Sequence, residues 1–521
     1  MRKAAGPLAL ALLAFLCLTP TAIAAAPEVS AAEATKSADR DPKVIEQRQR
    51  HRSLTSRADM VDGSWEVGYF AGEERVALAI VDPASGEVRE SWTGYQVAWK
   101  MARGYSGAFG HKLNAPYVFL PLCALFLLGL LDWRRPWRVA TLDLLVLLGF
   151  GVSHWFFHRG EIGVSVPLQY PVLVYLLARA LWIGLRGRGI GIRPVWPAAW
   201  LAIAALFLLG LRVGLNVADS GAIDVGYASV VGADRVAHGE ALYGNFPEDV
   251  SQGDTYGPVN YLAYVPFEAI WPWRGTWDDL PAAHGAAVGF DLATVALLVW
   301  LGLRIRPGPE GRRLAATLAF GWAAYPYTAF VLESNSNDAL VALLLVATLL
   351  ALARPLARGT FAALASLTKF APLLLAPMLA THRSRGTSRF LLGFGAATIG
   401  AMLWVAIDPG LQTFYERTIA YQADRDSPFS IWGQVGGLAP LRTAVLAAVA
   451  GLSLAFAFWP RQKTTTQVAA LGAALLIGLQ LTAQHWFYLY VVWFYPLLLI
   501  AMASPEPAPS PARSSRPTPP G

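Results

Sequence analysis

The sequence predicts an all-α polytopic membrane protein with a small α+β extracytoplasmic domain ahead of its membrane spans. Three observations carry this reading. Of 521 residues, 55% are hydrophobic and only 15% charged, where a soluble chain has about a quarter charged. Apolar runs recur along the chain at the length of about 20 residues that a helix needs to cross about 30 Å of hydrocarbon. The net charge of +7 gathers in short Arg-rich loops, and such loops report membrane orientation rather than affinity for nucleic acid.

Residues 1–24 read as a signal peptide. Arg2 and Lys3 precede an apolar core from Leu8 to Leu18, and small residues Ala22-Ile23-Ala24 follow. An uncleaved anchor helix is the alternative. Cys17 lies inside this core and Cys123 inside an expected span, so removal of the signal leaves one cysteine. No internal disulfide and no cysteine metal site are then expected. Residues 25–60 are polar, Ala-rich and charged without a hydrophobic period, and read as a flexible linker. Residues 61–115 form the small domain. Within it, Val76-Ala77-Leu78-Ala79-Ile80-Val81, the turn Asp82-Pro83-Ala84-Ser85-Gly86 and Glu87-Val88-Arg89-Glu90-Ser91-Trp92 read as a β-hairpin. A helical piece from Gln96 to Arg103 follows. This segment resembles a PepSY-like module.

Eleven apolar segments come next, at 116–131, 139–157, 166–185, 196–215, 281–303, 314–332, 338–353, 389–407, 440–459, 466–484 and 485–503. Arg134, Arg135 and Arg138 follow the first, Arg186, Arg188 and Arg193 the third, and Arg304, Arg306, Arg312 and Arg313 the fifth. Arg461 and Lys463 lie between the ninth and tenth. These loops are expected on the cytoplasmic side. The loop from Asn216 to Tyr256 is expected outside, since it holds Asp219, Asp224, Asp234, Glu240, Glu248, Asp249 and Asp254 against Arg235 alone. A signal-led outer N-terminus and eleven spans place the Pro/Ser-rich tail, 504–521, inside.

Two further apolar stretches do not fit as plain crossings. Residues 256–271 are short and contain Pro258 and Pro266, so an interfacial or re-entrant helix on the outer face is expected. Residues 359–380 are flanked by Arg354 and Arg358 on one side and by Arg383, Arg385 and Arg389 on the other. A broken hairpin around Lys369-Phe370-Ala371-Pro372 keeps both flanks on one side; two ordinary spans are the alternative.

The chain has no Walker A sequence, no GxSxG, no HExxH, and no Rossmann fingerprint opening a β-α unit. The cytoplasmic loops are too short for a nucleotide site. Any chemistry is therefore expected where the membrane meets the outside. Asp224 lies there, nine residues beyond the fourth span. Partial desolvation at such a boundary raises a carboxylate's pKa and improves it as a base. A solvating role in an outer loop is the plainer explanation for any single aspartate.

The order of features is more specific. Asp224, Gly239-Glu240-Ala241-Leu242-Tyr243 and Tyr256-Gly257-Pro258 follow one span and precede the next. This resembles the first outer loop of GT-C superfamily glycosyltransferases. It is similar in particular to the glycosyltransferase 87 family of polyprenyl-phosphate-mannose-dependent mannosyltransferases, although Gly257 stands where that family has proline. Three later stretches resemble family elements: the run into an apolar span from Glu333-Ser334-Asn335-Ser336-Asn337-Asp338, the Gly359–Pro377 segment around Lys369, and Arg425-Asp426-Ser427-Pro428-Phe429-Ser430-Ile431-Trp432-Gly433. The resemblance spans 196–503 as a GT-C-like catalytic domain and leaves 116–195 as three additional spans.

The resemblance implies transfer of a sugar, mannose in the family, from a polyprenyl-phosphate donor to a lipid or glycan acceptor at the outer face. Such transfer is inverting and needs one base rather than the pair used in glycoside hydrolysis; the matching position is Asp224. Donor phosphate and substrate binding are expected from Arg425, His485, Lys369, Tyr243 and Tyr256. A guanidinium suits a leaving phosphate. His485 alternatively belongs to an interfacial aromatic belt, and Lys369 alternatively snorkels or meets a lipid phosphate from the cytoplasmic side. Asp291, inside the fifth span, needs a partner, either Arg179 or Arg212. No cofactor is expected; a divalent cation held by Glu333 and Asp338 is the disfavoured alternative. A transporter or lipid flippase, or a membrane-anchored sensor, are the competing classes, the first weakened by the lack of an internal repeat.

Overall fold

The computed structural model describes residues 29–61, 63–104, 110–187, 191–382, 386–425 and 427–504. The expected signal at 1–24 and the tail from 505 onward lie outside the described residues. The chain divides into two units, 1–103 and 104–521.

The first unit is a four-stranded antiparallel meander in the order β1-β2-β3-β4, with β1 Thr55–Val61, β2 Ser64–Ala71, β3 Glu74–Val81 and β4 Val88–Thr93. The expected hairpin is β3–β4. Its turn is closed by Asp82, whose Oδ1 accepts from the amides of Ala84 at 2.7 Å and Ser85 at 3.1 Å. The linker expected at 25–60 is a correction: most of it is folded. Ser30 and Glu33 make a reciprocal capping box on the helix Ala31–Ala38. Asp41 caps Pro42–Arg50, with Pro42 in its first turn. Ala34, Ala38 and Val44 then pack on Val67, Tyr69, Ala77, Ala79 and Val81 of the sheet. Two short helices that bury few residues make weak periodicity, which is why composition alone suggested a linker.

The second unit is helical. Six of its helices are long and apolar enough to cross a membrane: Val139–His158, Ile162–Arg186, Ala198–Asp219, Pro281–Ile305, Thr387–Ile407 and Ala439–Phe458. The other expected spans form shorter helices, so eleven full-length crossings are not what the described residues provide. Asp338–Leu350, at 13 residues, reaches only about 20 Å at 1.5 Å per residue. The segment expected at 314–332 breaks into Gly308–Ala324 and Pro326–Glu333, since Pro326 cannot donate to the preceding turn.

Long and short helices play different parts. Ala439–Phe458 buries only Val449, Ser453 and Phe456, whereas Val491–Ala503 is buried along its whole length. Both are apolar all round, as a helix must be when its surroundings are either lipid or protein core. Short helices such as Asp338–Leu350, Thr465–Gln480 and Val491–Ala503 are almost wholly buried.

Two of the buried ion pairs join long helices. Arg212 Nη2 lies 2.7 Å from Asp291 Oδ1, which also accepts from Trp322 Nε1 at 2.8 Å. Arg179 instead meets Asp143 at 2.9 Å, beside the Tyr175 hydroxyl. Of the two partners expected for Asp291, the structure selects Arg212.

The 355–381 region is a broken hairpin. Pro355–Ser366 leads away, residues 367–370 turn, and Ala371–Leu375 with Ala376–Thr381 lead back. Pro372 disfavours helix at the residue before it. The ends meet: Arg358 Nη2 donates to the His382 carbonyl at 3.1 Å. The tip docks on the turn that begins Pro258–Glu268, a helix of 11 residues and too short to cross. Gly257 N donates to Thr368 O at 3.2 Å and Val259 N to Leu367 O at 3.1 Å.

Two stability predictions follow from these contacts. Asp291→Ala strands the Arg212 cation and is expected to cost about 3–5 kcal/mol, whereas Arg212→Met/Asp291→Leu recovers most of it. Thermal unfolding in detergent reads both, and equal losses in the single and double variants would refute the pairing. Gly257→Ala places a Cβ 1.9 Å from Leu367 O and is expected to cost about 1–3 kcal/mol. An unchanged unfolding midpoint would show that the tip does not dock there.

Candidate active site

Asp224 is the first residue of the helix Asp224–His238. Its approach is held from below by the 334–335 segment. Ile223 N donates to Ser334 O at 3.2 Å, and a Cβ on Gly226 would lie 2.3 Å from Asn335 O. Asn335 takes a left-handed φ of 47°, which asparagine tolerates better than most residues. Asn216 Nδ2 locks it by donating to Asn335 Oδ1 at 2.8 Å.

Asp224 has an exposed side chain, yet burial is the largest influence on its carboxyl and raises it above the usual carboxylate range. A group both accessible and hemmed in by protein lies in a recess, which reconciles the two. Four smaller influences act on it: the Val225 amide at 2.9 Å, then the Arg425 and Lys369 cations, all of which lower it, and Asp338, which raises it. The recess thus gathers a carboxylate that is a stronger base than usual and two cations.

Lys369 sits at the hairpin tip. It is buried rather than extended to the surface, as the snorkelling alternative would have it. Its Nζ lies 2.6 Å from Asp338 Oδ1. It also lies over the rings of Tyr256 at 5.1 Å, Tyr490 at 5.6 Å and Trp493 at 5.1 Å. Asp338 is 0% exposed. Its Oδ1 also accepts from Trp493 Nε1 at 2.7 Å and its Oδ2 from Ser336 Oγ at 2.9 Å. A buried lysine is tolerable only with such a counter-charge and aromatic faces. Asp338 therefore serves Lys369. Glu333, the other residue considered for a cation, is buried, and its carboxyl is pushed up to about 8.

Arg425 is half-buried beside Tyr421, 5.9 Å from the ring. Its charge reaches Asp224 and His485. His485 lies in the loop before Val491–Ala503, with Nδ1 2.9 Å from Ser427 Oγ and its ring edge-on to Phe429 at 5.4 Å. Burial first, and then Arg425, hold its imidazole well below the usual histidine range, so it is neutral at physiological pH.

Tyr256 lies at the centre and Tyr243 behind it. The Tyr243 hydroxyl donates to the Tyr256 carbonyl at 2.9 Å. Its ring is buried edge-on to Phe414 at 5.2 Å and Tyr261 at 6.3 Å. Tyr243 is thus a buttress for the Tyr256 turn rather than part of the open recess. Below them Asp254 receives both Nε and Nη2 of Arg417 at 2.7 Å, and the Gly244 amide at 2.7 Å.

The structure therefore brings Asp224, Arg425, Lys369 and Tyr256 into one electrostatic neighbourhood, with His485 at its Arg425 edge. Sequence reasoning missed Trp493, which lies inside an apolar run. It also missed the pairing of Asp338 with Lys369 and of Asp254 with Arg417. A charge flanked by apolar residues was the available signal for Lys369; only the fold names its partner. Among the described residues, no group of three or more His, Cys, Asp or Glu is placed to hold a metal.

Two comparisons with known proteins bear on this arrangement. No curated protein matches the chain. Residues 255–501 match the model of Glycosyltransferase family 87, a stretch that opens one residue before Tyr256, includes Lys369, Arg425 and His485, and leaves Asp224 outside. The match, with the apolar helices around the site, supports a membrane glycosyltransferase of the GT-C type.

Proposed function

We propose that the protein transfers a sugar, mannose, from a polyprenyl-phosphate donor to a lipid or glycan acceptor at the outer face of the membrane, with inversion. The observation that carries this reading is the accessible Asp224 carboxylate, raised by its recess and flanked by the Arg425 and Lys369 cations. The outer-face assignment is supported by loop charge: the 216–256 loop is acidic, and arginines cluster in the alternate loops. The small N-terminal domain, PepSY-like in its sequence, then lies on the same side.

Asp224 takes the proton from the acceptor hydroxyl. The freed oxygen attacks the anomeric carbon from the face opposite the phosphate. The bond from that carbon to the phosphate oxygen breaks, and the lipid phosphate leaves with the electron pair. Arg425 meets the growing negative charge, which a fixed cation in a partly desolvated site stabilises well. His485, anchored through Nδ1 to Ser427, adds a neutral polar group at the Arg425 edge of the substrate site. Lys369 keeps its Asp338 partner and adds positive potential rather than a direct contact. Tyr256, shaped by Tyr243, provides the wall beside the sugar. A donor delivered through lipid needs no nucleotide site, consistent with the short loops on the other side.

Asp224→Asn is expected to lower kcat by on the order of a thousandfold, the scale of a general base, with the fold retained. Transfer from radiolabelled polyprenyl-phosphate sugar in reconstituted vesicles measures this. Wild-type turnover by the variant would overturn the assignment of Asp224 as the base. The pH dependence has a definite sign. The base works only when ionised, so activity falls as pH drops through its raised pKa, above the value near 3.9 typical of aspartate. Arg425 lowers the Asp224 pKa, so Arg425→Gln should move the acid limb of kcat/KM to higher pH as well as reduce the rate. An unmoved limb would separate Arg425 from Asp224.

A further inference from the structure

Arg193, Arg306 and Arg313 converge on a pocket of about 210 Å³ at the end of the helical unit away from Asp224. Among the described residues it is framed by the 192–194 segment, the start of Gly308–Ala324 and the end of Val491–Ala503. Pro281–Ile305 separates it from the candidate active site. The loop ahead of that helix adjoins the Asp224 segment, where Trp277 Nε1 donates to Ala222 O, and Arg306 follows its last residue. Its 25 residues cover about 37 Å. We propose that this pocket binds a phosphate group, supplied by the headgroup of an anionic phospholipid in the leaflet on the arginine side. The inference does not rest on the transfer reaction and uses none of its residues.

Charge is the first reason. Three guanidinium groups line the pocket against one carboxylate, Glu310, so its field favours an anion. A guanidinium presents its N–H groups in a planar fork that matches phosphate oxygens. Arg193 and Arg313 are exposed and Arg306 is half-buried, so a ligand can reach them from outside. Size is the second reason. Pockets for drug-sized molecules hold about 300–1,000 Å³; the smaller volume here suits a phosphate with its first substituents better than a nucleotide. Depth is the third, and it selects the source. Trp196 lies two residues beyond Pro194. Its Nε1 donates to Leu128 O at 2.8 Å, and its ring meets Trp133 edge-on at 5.1 Å. These indoles are 38% and 44% exposed and lie in turns at helix ends, as do the aromatic belts that mark headgroup level. Ile192, Leu314 and Ala503 add apolar wall beside the cations. A lipid phosphate meets apolar groups on one side and polar ones on the other, whereas a free phosphate ion is hydrated all round. Basic pockets between helices are a recurring form of anionic-lipid recognition.

Specific contacts shape the pocket. Ile192 N donates to Met502 O at 2.8 Å, which ties the 192–194 segment to the end of the last helix. Arg313 Nη2 donates to Pro194 O, a bond that uses one N–H of the fork and leaves others for a ligand. Gly311 lies so close to Arg306 that a Cβ would be 2.1 Å from Arg306 O, so a side chain there would push the helix start off the Arg306 turn. A headgroup held here touches three segments far apart in sequence, one of them the helix that carries Trp493.

The test is a calorimetric titration of the full chain in neutral maltoside detergent, with protein-free detergent subtracted. The ligands are dihexanoyl phosphatidylglycerol, dihexanoyl phosphatidylcholine and inorganic phosphate. Phosphatidylglycerol should bind saturably, and each of the others about tenfold or more weaker. Arg193→Gln and Arg313→Gln should each weaken phosphatidylglycerol about fivefold, the scale of one cation at an anionic lipid surface. Glu310→Gln should tighten it, a change that a merely unfolded variant does not imitate. Arg134→Gln and Arg135→Gln, at arginines outside the lining, should leave it unchanged. Phosphatidylcholine or inorganic phosphate binding as tightly as phosphatidylglycerol would overturn the proposal. So would wild-type affinity in both pocket arginine variants, no gain with Glu310→Gln, or an equal loss with Arg134→Gln and Arg135→Gln.

Discussion

The contact between Lys369 and Asp338 is the constraint on which the rest of the site depends. It joins the tip of the broken hairpin to the start of Asp338–Leu350, two elements 31 residues apart in sequence. A lysine buried among apolar helices is expensive unless a carboxylate and aromatic faces compensate it, and here both are present. Because an ion pair of this kind tolerates little displacement, the hairpin tip, the Tyr256 turn and the last helix with Trp493 must settle in one arrangement. The Gly257 departure from the resembled family pattern has its place in this packing. The Gly257 amide is used by Thr368, a bond that proline has no N–H to make.

The additional helices before residue 196 also bear on the site. Tyr488, three residues beyond His485, hydrogen-bonds Ser153 at 2.7 Å and Ser165 at 3.0 Å. Ile431 N donates to the Tyr170 hydroxyl at 3.1 Å, and Phe157 packs on Phe429 and Phe487. The loops that carry Arg425 and His485 thus rest on helices outside the matched stretch of 255–501. Residues on both sides of that boundary, Asp224 and the first helices included, contribute to one packed arrangement.

Legibility differed by element. The long helices that face outward were readable almost to the residue, as at 389–407 against Thr387–Ile407 and 440–459 against Ala439–Phe458. Their surroundings demand uninterrupted apolarity, and composition records it directly. The buried helices were readable as apolar but not in length, because protein neighbours satisfy a polar end such as Asp338 that lipid would reject. The helices at 31–50 were missed because they are short and bury few residues, Ala34 and Ala38 in the first and Val44 and Gln47 in the second, although the Ser30/Glu33 and Asp41/Pro42 caps were present in the sequence.

The sequence by itself determined the class of solvent this chain meets and the existence of an aspartate just past a span. Those are local properties, set by the side chains of one segment and its surroundings. Only the tertiary structure decided which charges meet: Lys369 with Asp338, Arg212 rather than Arg179 with Asp291, Arg425 beside Asp224, and Tyr243 behind rather than within the recess. Pairing depends on distance between segments tens to hundreds of residues apart. Apolar patterning leaves that distance undefined until packing and buried-charge compensation select one arrangement.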